Sequence, residues 1–193
     1  MHPAGELILD QWPEETGKPE ELCLVQAVLA GDRAAFDRLV QQHSAQVTSV
    51  VRRVGSEPNE VEDIVQETFL RAYQSLRRFR GRSQLRTWLI QIAINVCRDR
   101  QRSFWKRRVH LTLPEGPDPA QGCFVDATLL QQSVAAAVAK LPEKLRLPFV
   151  LHAFEELSGI EIAAVLGWSE STVWTRIYAA RKQLRTQLVD LLD

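Results

Sequence analysis

The sequence predicts an all-α protein made of two small helical domains joined by a flexible linker. Apolar residues recur at three- and four-residue steps along most of the 193 residues, whereas the alternation typical of strands is nearly absent. A stretch from 111 to 122 holds three prolines and two glycines, which excludes a regular helix there. Directly before it, residues 71–108 carry 12 basic residues and one acidic residue, Asp99, although the whole chain has zero net charge. Such a cluster indicates a surface that binds a polyanion.

The N-terminal half predicts a mobile tail over residues 1–19 and a four-helix domain over 20–108. The first helix is expected from about Glu20 to Ala30. Asp32 caps a second helix that ends at Gly55, and a third helix begins near Asn59. After a loop at 80–84, the fourth helix buries one apolar face, made of Leu85, Trp88, Leu89, Ile92, Ala93, Val96 and Cys97.

Residues 109–125 are predicted to be an extended linker and residues 126–193 a second helical domain. Pro142 should start a helix within it, and Pro148 should kink or restart that helix. Ser158 and Glu161 then form a capping box, and Gly167 supplies a left-handed turn before Ser169 caps the last helix. This pattern is typical of a helix-turn-helix, in which the second helix enters a DNA major groove. An ordinary helical hairpin is the alternative, but the cations Arg181, Lys182 and Arg185 favour DNA.

The basic segment from Phe79 to Arg108 is the second predicted nucleic-acid surface. Opposite the apolar face of its helix, we expect Thr87, Gln91, Asn95, Arg98 and Arg102 to be open to DNA. Arginines pair with phosphates, Asn and Gln can read base edges, and interleaved aromatic residues suit unpaired bases. A solvated basic surface without a ligand is the alternative interpretation.

The sequence has few features that are typical of an enzyme or of a membrane protein. It has no catalytic constellation, no nucleotide-binding glycine loop and no metal-ligand spacing, and we expect neither a cofactor nor a small-molecule substrate. The acidic group around Asp63 and Glu67 is interpreted as a solvated or partner-binding face. His43 and Cys97 are interpreted as core residues. No apolar stretch is long enough for membrane insertion, the N-terminus lacks a secretory pattern, and three scattered cysteines fit a cytoplasmic protein.

Three motifs in order resemble those of bacterial sigma-70 family RNA polymerase sigma factors, in the extracytoplasmic-function (ECF) group. The segment Asp63–Tyr73 resembles the region 2 helix that docks on polymerase, and Phe79–Asn95 resembles the loop and helix that recognise and open the minus-ten element. The segment starting at Leu141-Pro142-Glu143 and continuing through the helix-turn-helix resembles region 4, which reads the minus-35 element. The resemblance implies three partners: core RNA polymerase, through its beta-prime clamp and beta flap, promoter DNA, and an anti-sigma factor.

The resemblance also assigns site residues. Core polymerase binding falls to Asp63, Val65, Gln66, Glu67, Phe69 and Leu70. Minus-ten DNA binding falls to Arg80, Gly81, Arg82, Ser83, Gln84, Trp88, Gln91, Asn95, Arg98 and Arg102. Minus-35 DNA binding falls to Ser171, Thr172, Trp174, Thr175, Arg176, Tyr178 and Lys182. Trp174 stands where the family usually has a cation, so its contact is left open between DNA, a neighbouring helix and an inhibitor.

Two other functions compete with the sigma factor. A free-standing helix-turn-helix repressor or activator would need a sensor or dimerisation module in the first 108 residues, where we find a docking motif instead. A nuclease would need convergent carboxylates or a metal site. The linker further predicts that the two domains can separate on polymerase or collapse together and hide their DNA surfaces.

Overall fold

The structure, a computed structural model, describes residues 19–108 and 129–189. Within these ranges all regular structure is helical, as the sequence predicts. The first range contains α1 (Pro19–Leu29), α2 (Arg33–Arg53), α3 (Val61–Ser75) and α4 (Leu85–Arg108), with short 3-10 turns at Pro58–Glu60 and Leu76–Arg78. The second contains α5 (Leu129–Ala139), α6 (Glu143–Ala153), α7 (Gly159–Leu166) and α8 (Glu170–Val189). The predicted tail, apart from Pro19, and the predicted linker lie outside the described residues.

Helices α1 to α4 form one packed unit, because each contributes an apolar stripe to a shared core. Helix α2 contacts α1, α3 and α4, and α3 also packs along α4. The Asp32 carboxylate accepts a hydrogen bond from the Ala35 amide, which is the predicted cap. All seven predicted apolar positions of α4, from Leu85 to Cys97, are buried.

Helices α5 to α8 form the second unit, in which α6 and α7 both pack on α8. The capping box at Ser158 and Glu161 is present, and Gly167 ends α7 in the left-handed region at φ 69°. A side chain is disfavoured at that φ, so the turn between α7 and α8 suits glycine. The Ser169 hydroxyl accepts a hydrogen bond from the Thr172 amide at 3.3 Å, which is the predicted cap of α8.

The predicted restart at Pro148 was wrong, because α6 runs without a break from Glu143 to Ala153; the kink stays a prediction. Proline removes one amide donor, and the carbonyl it would have bonded, that of Lys144, belongs to an exposed residue that water can reach. The Pro148 ring itself is buried in the domain. One lost hydrogen bond is thus accommodated by packing and solvent.

The two units also pack against each other. Helix α4 contacts α7, and α2 contacts both α5 and α6. We call this contact the seam. One apolar cluster extends through it, from residues of α1 to α4 to residues of α6, α7 and α8. None of the described helices is long and apolar enough to cross a membrane.

Candidate nucleic-acid interface

The loop before α4 is held in place by α1. The Leu85 amide at the start of α4 donates a hydrogen bond to Glu21 Oε2 at 3.2 Å, so a carboxylate from α1 caps α4. Leu22 packs beside Gly81, which has a φ of 71°. Of the predicted loop residues, Arg80 is exposed, Arg82 and Gln84 are half-buried and Ser83 is buried. The loop therefore presents a mainly basic rim.

The predicted open face of α4 is only partly open. Asn95 and Arg102 are exposed and Arg98 is half-buried. Our expectation for Thr87 and Gln91 was wrong in this arrangement, because they are 0% and 8% exposed. The covering element is α7, which packs along this part of α4. Trp88 is also buried, and its ring lies beside that of Phe79 with centroids 5.3 Å apart.

Helix α8 presents most of its predicted contact residues to solvent. Ser171, Thr175, Tyr178 and Lys182 are exposed, and Thr172 and Arg176 are half-buried. The opposite side of α8 is buried through Val173, Ile177, Ala180 and Leu184. Arg176 lies over the Trp168 ring, with its guanidinium carbon 3.8 Å from the ring centroid, and this cation–π contact orients its charge.

Trp174 lies at the edge of this face and packs on its own domain. Its indole Nε1 donates to Glu170 Oε1 at 3.1 Å, and its ring meets that of His152 edge-to-face at 5.2 Å between centroids. It also lies against Gly159, where a Cβ atom would come within 2.7 Å of the indole nitrogen. The structure therefore shows a contact of Trp174 with neighbouring helices, while the residue stays 43% exposed.

Helix α3 has one exposed row that mixes polar and apolar residues. Asp63, Gln66 and Leu70 are exposed, Val65 and Glu67 are half-buried, and Phe69 is buried. Phe69 therefore serves the internal core in this structure. Tyr73 extends the row and packs edge-to-face on Phe36, with centroids 4.9 Å apart.

Two acidic residues of α3 pair with cations of the same unit: Glu67 with Arg71, and Asp63 with Arg100. Arg71 donates to Glu67 at 2.8 Å and to Asp99 on α4 at 2.7 Å, and these hydrogen bonds, chiefly the one to Asp99, raise the pKa of the guanidinium. No group of His, Cys, Asp and Glu in the described residues is arranged to hold a metal ion. Burial raises the pKa of the Cys97 thiol, so this cysteine is protonated at neutral pH and is a poor nucleophile.

Three side chains important to these surfaces were missed by the sequence analysis. Glu21 caps a helix 64 residues away, and Glu155 is buried at the seam, and no local pattern identifies such long-range contacts. Tyr73 could have been identified from the sequence, because it follows Leu70 at the three-residue spacing of a helical face.

Comparison with known proteins agrees with this architecture. The family model for sigma-70 region 2 matches residues 39–107, and that for sigma-70 region 4 matches residues 131–184. The RNA polymerase sigma-H factor of Pseudomonas aeruginosa is 31% identical over 183 residues, covering 88% of this chain and 94% of the relative. The ECF RNA polymerase sigma factor SigW of Bacillus subtilis is 33% identical over 182 residues, covering 86% and 96%.

A solved structure extends the likeness to the fold. CnrH, solved in complex with the cytosolic domain of CnrY, superimposes with a TM-score of 0.66 at 29% identity, covering 88% of this chain and 97% of CnrH. Both region models, in the order of the packed units described above, match within a chain that spans nearly the full length of curated sigma factors. The chain therefore belongs to the ECF group of the sigma-70 family of RNA polymerase sigma factors.

Proposed function

We propose that this sigma factor directs promoter-specific initiation through three surfaces: the exposed row of α3 for core polymerase, the loop with α4 for the minus-ten element, and α8 for the minus-35 element. The observation that carries the proposal is the row of α3, where Leu70 is 52% and Tyr73 49% exposed. Large apolar residues kept in solvent beside polar ones are typical of a protein-binding surface. A polymerase-docking surface is the feature that distinguishes a sigma factor from a free-standing regulator.

The minus-35 assignment is supported by the contrast between the two sides of α8. Its buried side anchors the helix in the domain, while its polar side carries hydroxyls and cations to solvent. Ser and Thr hydroxyls can contact base edges, and Arg176 and Lys182 are placed to pair with phosphates. Trp174, Tyr178 and Ser171 complete the proposed set, with Trp174 as a positioning residue.

The minus-ten assignment is supported by the rim of the loop and by the cations of α4. Arg80, Gln84 and the half-buried Arg82 surround the turn at Gly81. Separating stacked bases costs about 1.4 kcal/mol per step, which capture of an extruded base in a pocket offsets. Phe79 and Trp88 flank this loop in the sequence, and their ring centroids lie 5.3 Å apart. Thr87 and Gln91 join the surface only when α7 is displaced.

Two further parts of the proposal follow from membership of the family. The protein acts without catalysis of its own, as a cytoplasmic subunit of the polymerase. Because the relative CnrH was solved bound to a domain of another protein, we also propose that a separate inhibitory protein, an anti-sigma factor, binds this chain.

The test is binding and run-off transcription with purified core polymerase. The double variant Gln66→Ala with Glu67→Lys should reduce core binding about tenfold or more, since an alteration at an interface hot spot costs about 2 kcal/mol. Helicity should be unchanged, because Gln66 is exposed and Glu67 only half-buried. The matched control, Gln42→Ala with Glu57→Lys, makes the same changes at two exposed positions outside α3.

Equal core binding by the two double variants would overturn the docking assignment. Specific duplex binding by the free protein, combined with no core-dependent transcription from any promoter in a library, would favour the free-standing regulator instead.

A further inference from the structure

The seam covers a surface that the proposed function needs. Thr87 and Gln91 lie on the α4 face proposed to hold the melted minus-ten strand, and both are buried by α7. Gln91 Nε2 donates to the Ala164 carbonyl at 3.4 Å, and Thr87 Oγ1 donates to Glu161 Oε1 at 3.5 Å. These bonds are long, so burial rather than bond strength is the main effect. DNA cannot occupy this face while α7 lies on it.

The same arrangement leaves the reading face of α8 uncovered. Tyr178 is 74% exposed, and Ser171, Thr175 and Lys182 are also in solvent. The seam therefore does not hide the DNA surfaces equally. It blocks the surface for melted DNA and leaves the surface for duplex DNA open.

The seam also contains a buried charge. Glu155, at the turn after α6, is 5% exposed, although an isolated carboxylate is costly to bury. Its partners both lie on α2, across the seam: Gln46 Nε2 donates to it at 2.9 Å, and Arg53 Nη1 lies 3.8 Å away. Arg53 in turn lies over the Phe154 ring, 4.5 Å from its centroid.

A buried pair of this kind specifies an arrangement more than it stabilises it. Desolvation offsets most of the attraction, so the intact pair contributes little net free energy, but removal of one partner leaves a buried charge uncompensated. Once the units separate, water can solvate Glu155 and Arg53, and opening leaves neither charge buried. A contact with these properties can open and close reversibly, and we call the contact of Glu155 with Arg53 and Gln46 the latch.

Two further contacts across the seam support the same arrangement of the two units. Arg98 on α4 lies 3.6 Å from Glu143 at the start of α6. The guanidinium of Arg146 lies against Gly55, where a Cβ atom would come within 2.7 Å of Nη2, and burial lowers the pKa of this arginine. Arg98 is one of the residues proposed to contact DNA, so closing also occupies one of the DNA-binding cations.

We propose that the seam is an autoinhibitory contact of the free protein, that Glu155 with Arg53 and Gln46 is its latch, and that opening it uncovers the α4 face for the minus-ten strand. The last part rests on the function proposed above. The proposal needs no second protein, since both sides of the latch belong to this chain.

The test reverses each charge of the latch in the full-length protein. Glu155→Lys places two cations together, and Arg53→Glu places two carboxylates together, so each should open the seam and increase the radius of gyration measured by small-angle X-ray scattering. The double variant, Glu155→Lys with Arg53→Glu, restores an opposite pair and should return the radius to that of the wild type. Glu156→Lys is the matched control, because it makes the same charge change at the neighbouring, exposed residue.

The second measurement is binding of the free protein to a single-stranded oligonucleotide that carries a minus-ten sequence, followed by fluorescence anisotropy. Glu155→Lys should bind about tenfold more tightly than the wild type, because a larger share of molecules is competent. Glu156→Lys should bind like the wild type, apart from the small gain that any added cation gives. Far-UV circular dichroism checks that each variant remains helical.

The outcomes separate the latch from the site assignment. An unchanged radius in both single variants, or a double variant that stays expanded, overturns the latch. Expansion with rescue but no gain in oligonucleotide binding leaves the latch supported and overturns the assignment of the α4 face to the minus-ten strand. Expansion, rescue and tighter binding together support both.

Discussion

At the scale of single residues, Trp174 shows why position in a motif does not determine contact. Its place in the recognition helix left open whether the indole binds DNA, a neighbouring helix or an inhibitor. In the structure the ring packs on His152 of α6 and on Gly159 of α7. A glycine and a histidine that are distant in sequence create this pocket, and helical periodicity says nothing about them. The local caps at Asp32 and Ser158, by contrast, were predictable, because both partners lie within three residues.

We therefore expect Trp174→Lys to act on stability. Losing the edge-to-face contact and the partial burial of the indole should lower the free energy of unfolding by about 1–2 kcal/mol. Base preference at minus 35 should stay the same. Chemical denaturation and selection from a randomised promoter library measure the two effects.

The matched control is Tyr178→Lys, since Tyr178 is on the same helix and much more exposed. It should leave stability nearly unchanged and alter duplex binding. A shifted base preference with unaltered stability in Trp174→Lys would instead place the indole on DNA.

At the scale of elements, α1 acts as the support of the loop before α4. The sequence predicted this helix, the loop and α4 separately, because both helices have apolar periodicity and Gly81 marks the loop. It did not predict that Glu21 caps α4, because a cap supplied from another helix follows from tertiary packing alone. Helix α4 also buries Ile90 and Ile94, which lie outside the predicted stripe, and the sequence did not predict that α7 would cover part of this helix.

Loss of this cap should affect promoter opening more than duplex binding. Glu21→Ala removes a capping interaction of about 0.5–2 kcal/mol and frees the loop around Gly81. Permanganate footprinting with core polymerase should then show reduced melting at minus ten, whereas protection of the minus-35 element should remain.

Glu20→Ala is the control, because Glu20 is the neighbouring acidic residue and is exposed. If both variants open the promoter as well as the wild type does, the cap has no part in holding the loop for DNA.

At the scale of the whole molecule, the cations of residues 71–108 serve two sets of contacts. Composition predicted a polyanion surface, but some of these cations are paired internally: Arg71 with Glu67 and Asp99, and Arg98 with Glu143 across the seam. The sequence predicted that the domains can collapse together. It could not predict which residues meet, because this depends on the shapes of the two surfaces and on long-range pairs such as Glu155 with Gln46. Arg102 remains exposed.

Replacing Arg98 or Arg102 of α4 should weaken binding of single-stranded promoter DNA by the polymerase complex. Arg98→Ala and Arg102→Ala should each make the slope of log affinity against log salt shallower by about 0.7. Titrations at several salt concentrations measure this slope.

The two variants should differ in the free protein, because only Arg98 reaches across the seam. Arg98→Ala should loosen it slightly, since a partly exposed ion pair contributes about 0–1 kcal/mol. A salt slope equal to that of the wild type in both variants would exclude these side chains from phosphate contact.

The position of Glu155 has a consequence for how such a protein can diverge. Its partners Gln46 and Arg53 lie on α2, outside the helices α3 and α8 that carry the proposed docking row and the proposed minus-35 surface. Under the latch proposed above, substitutions at these two positions change how readily the seam opens and leave the residues proposed for promoter selection and polymerase docking unaltered. Under selection, the threshold of the response and the set of genes it controls are separately heritable traits of one chain.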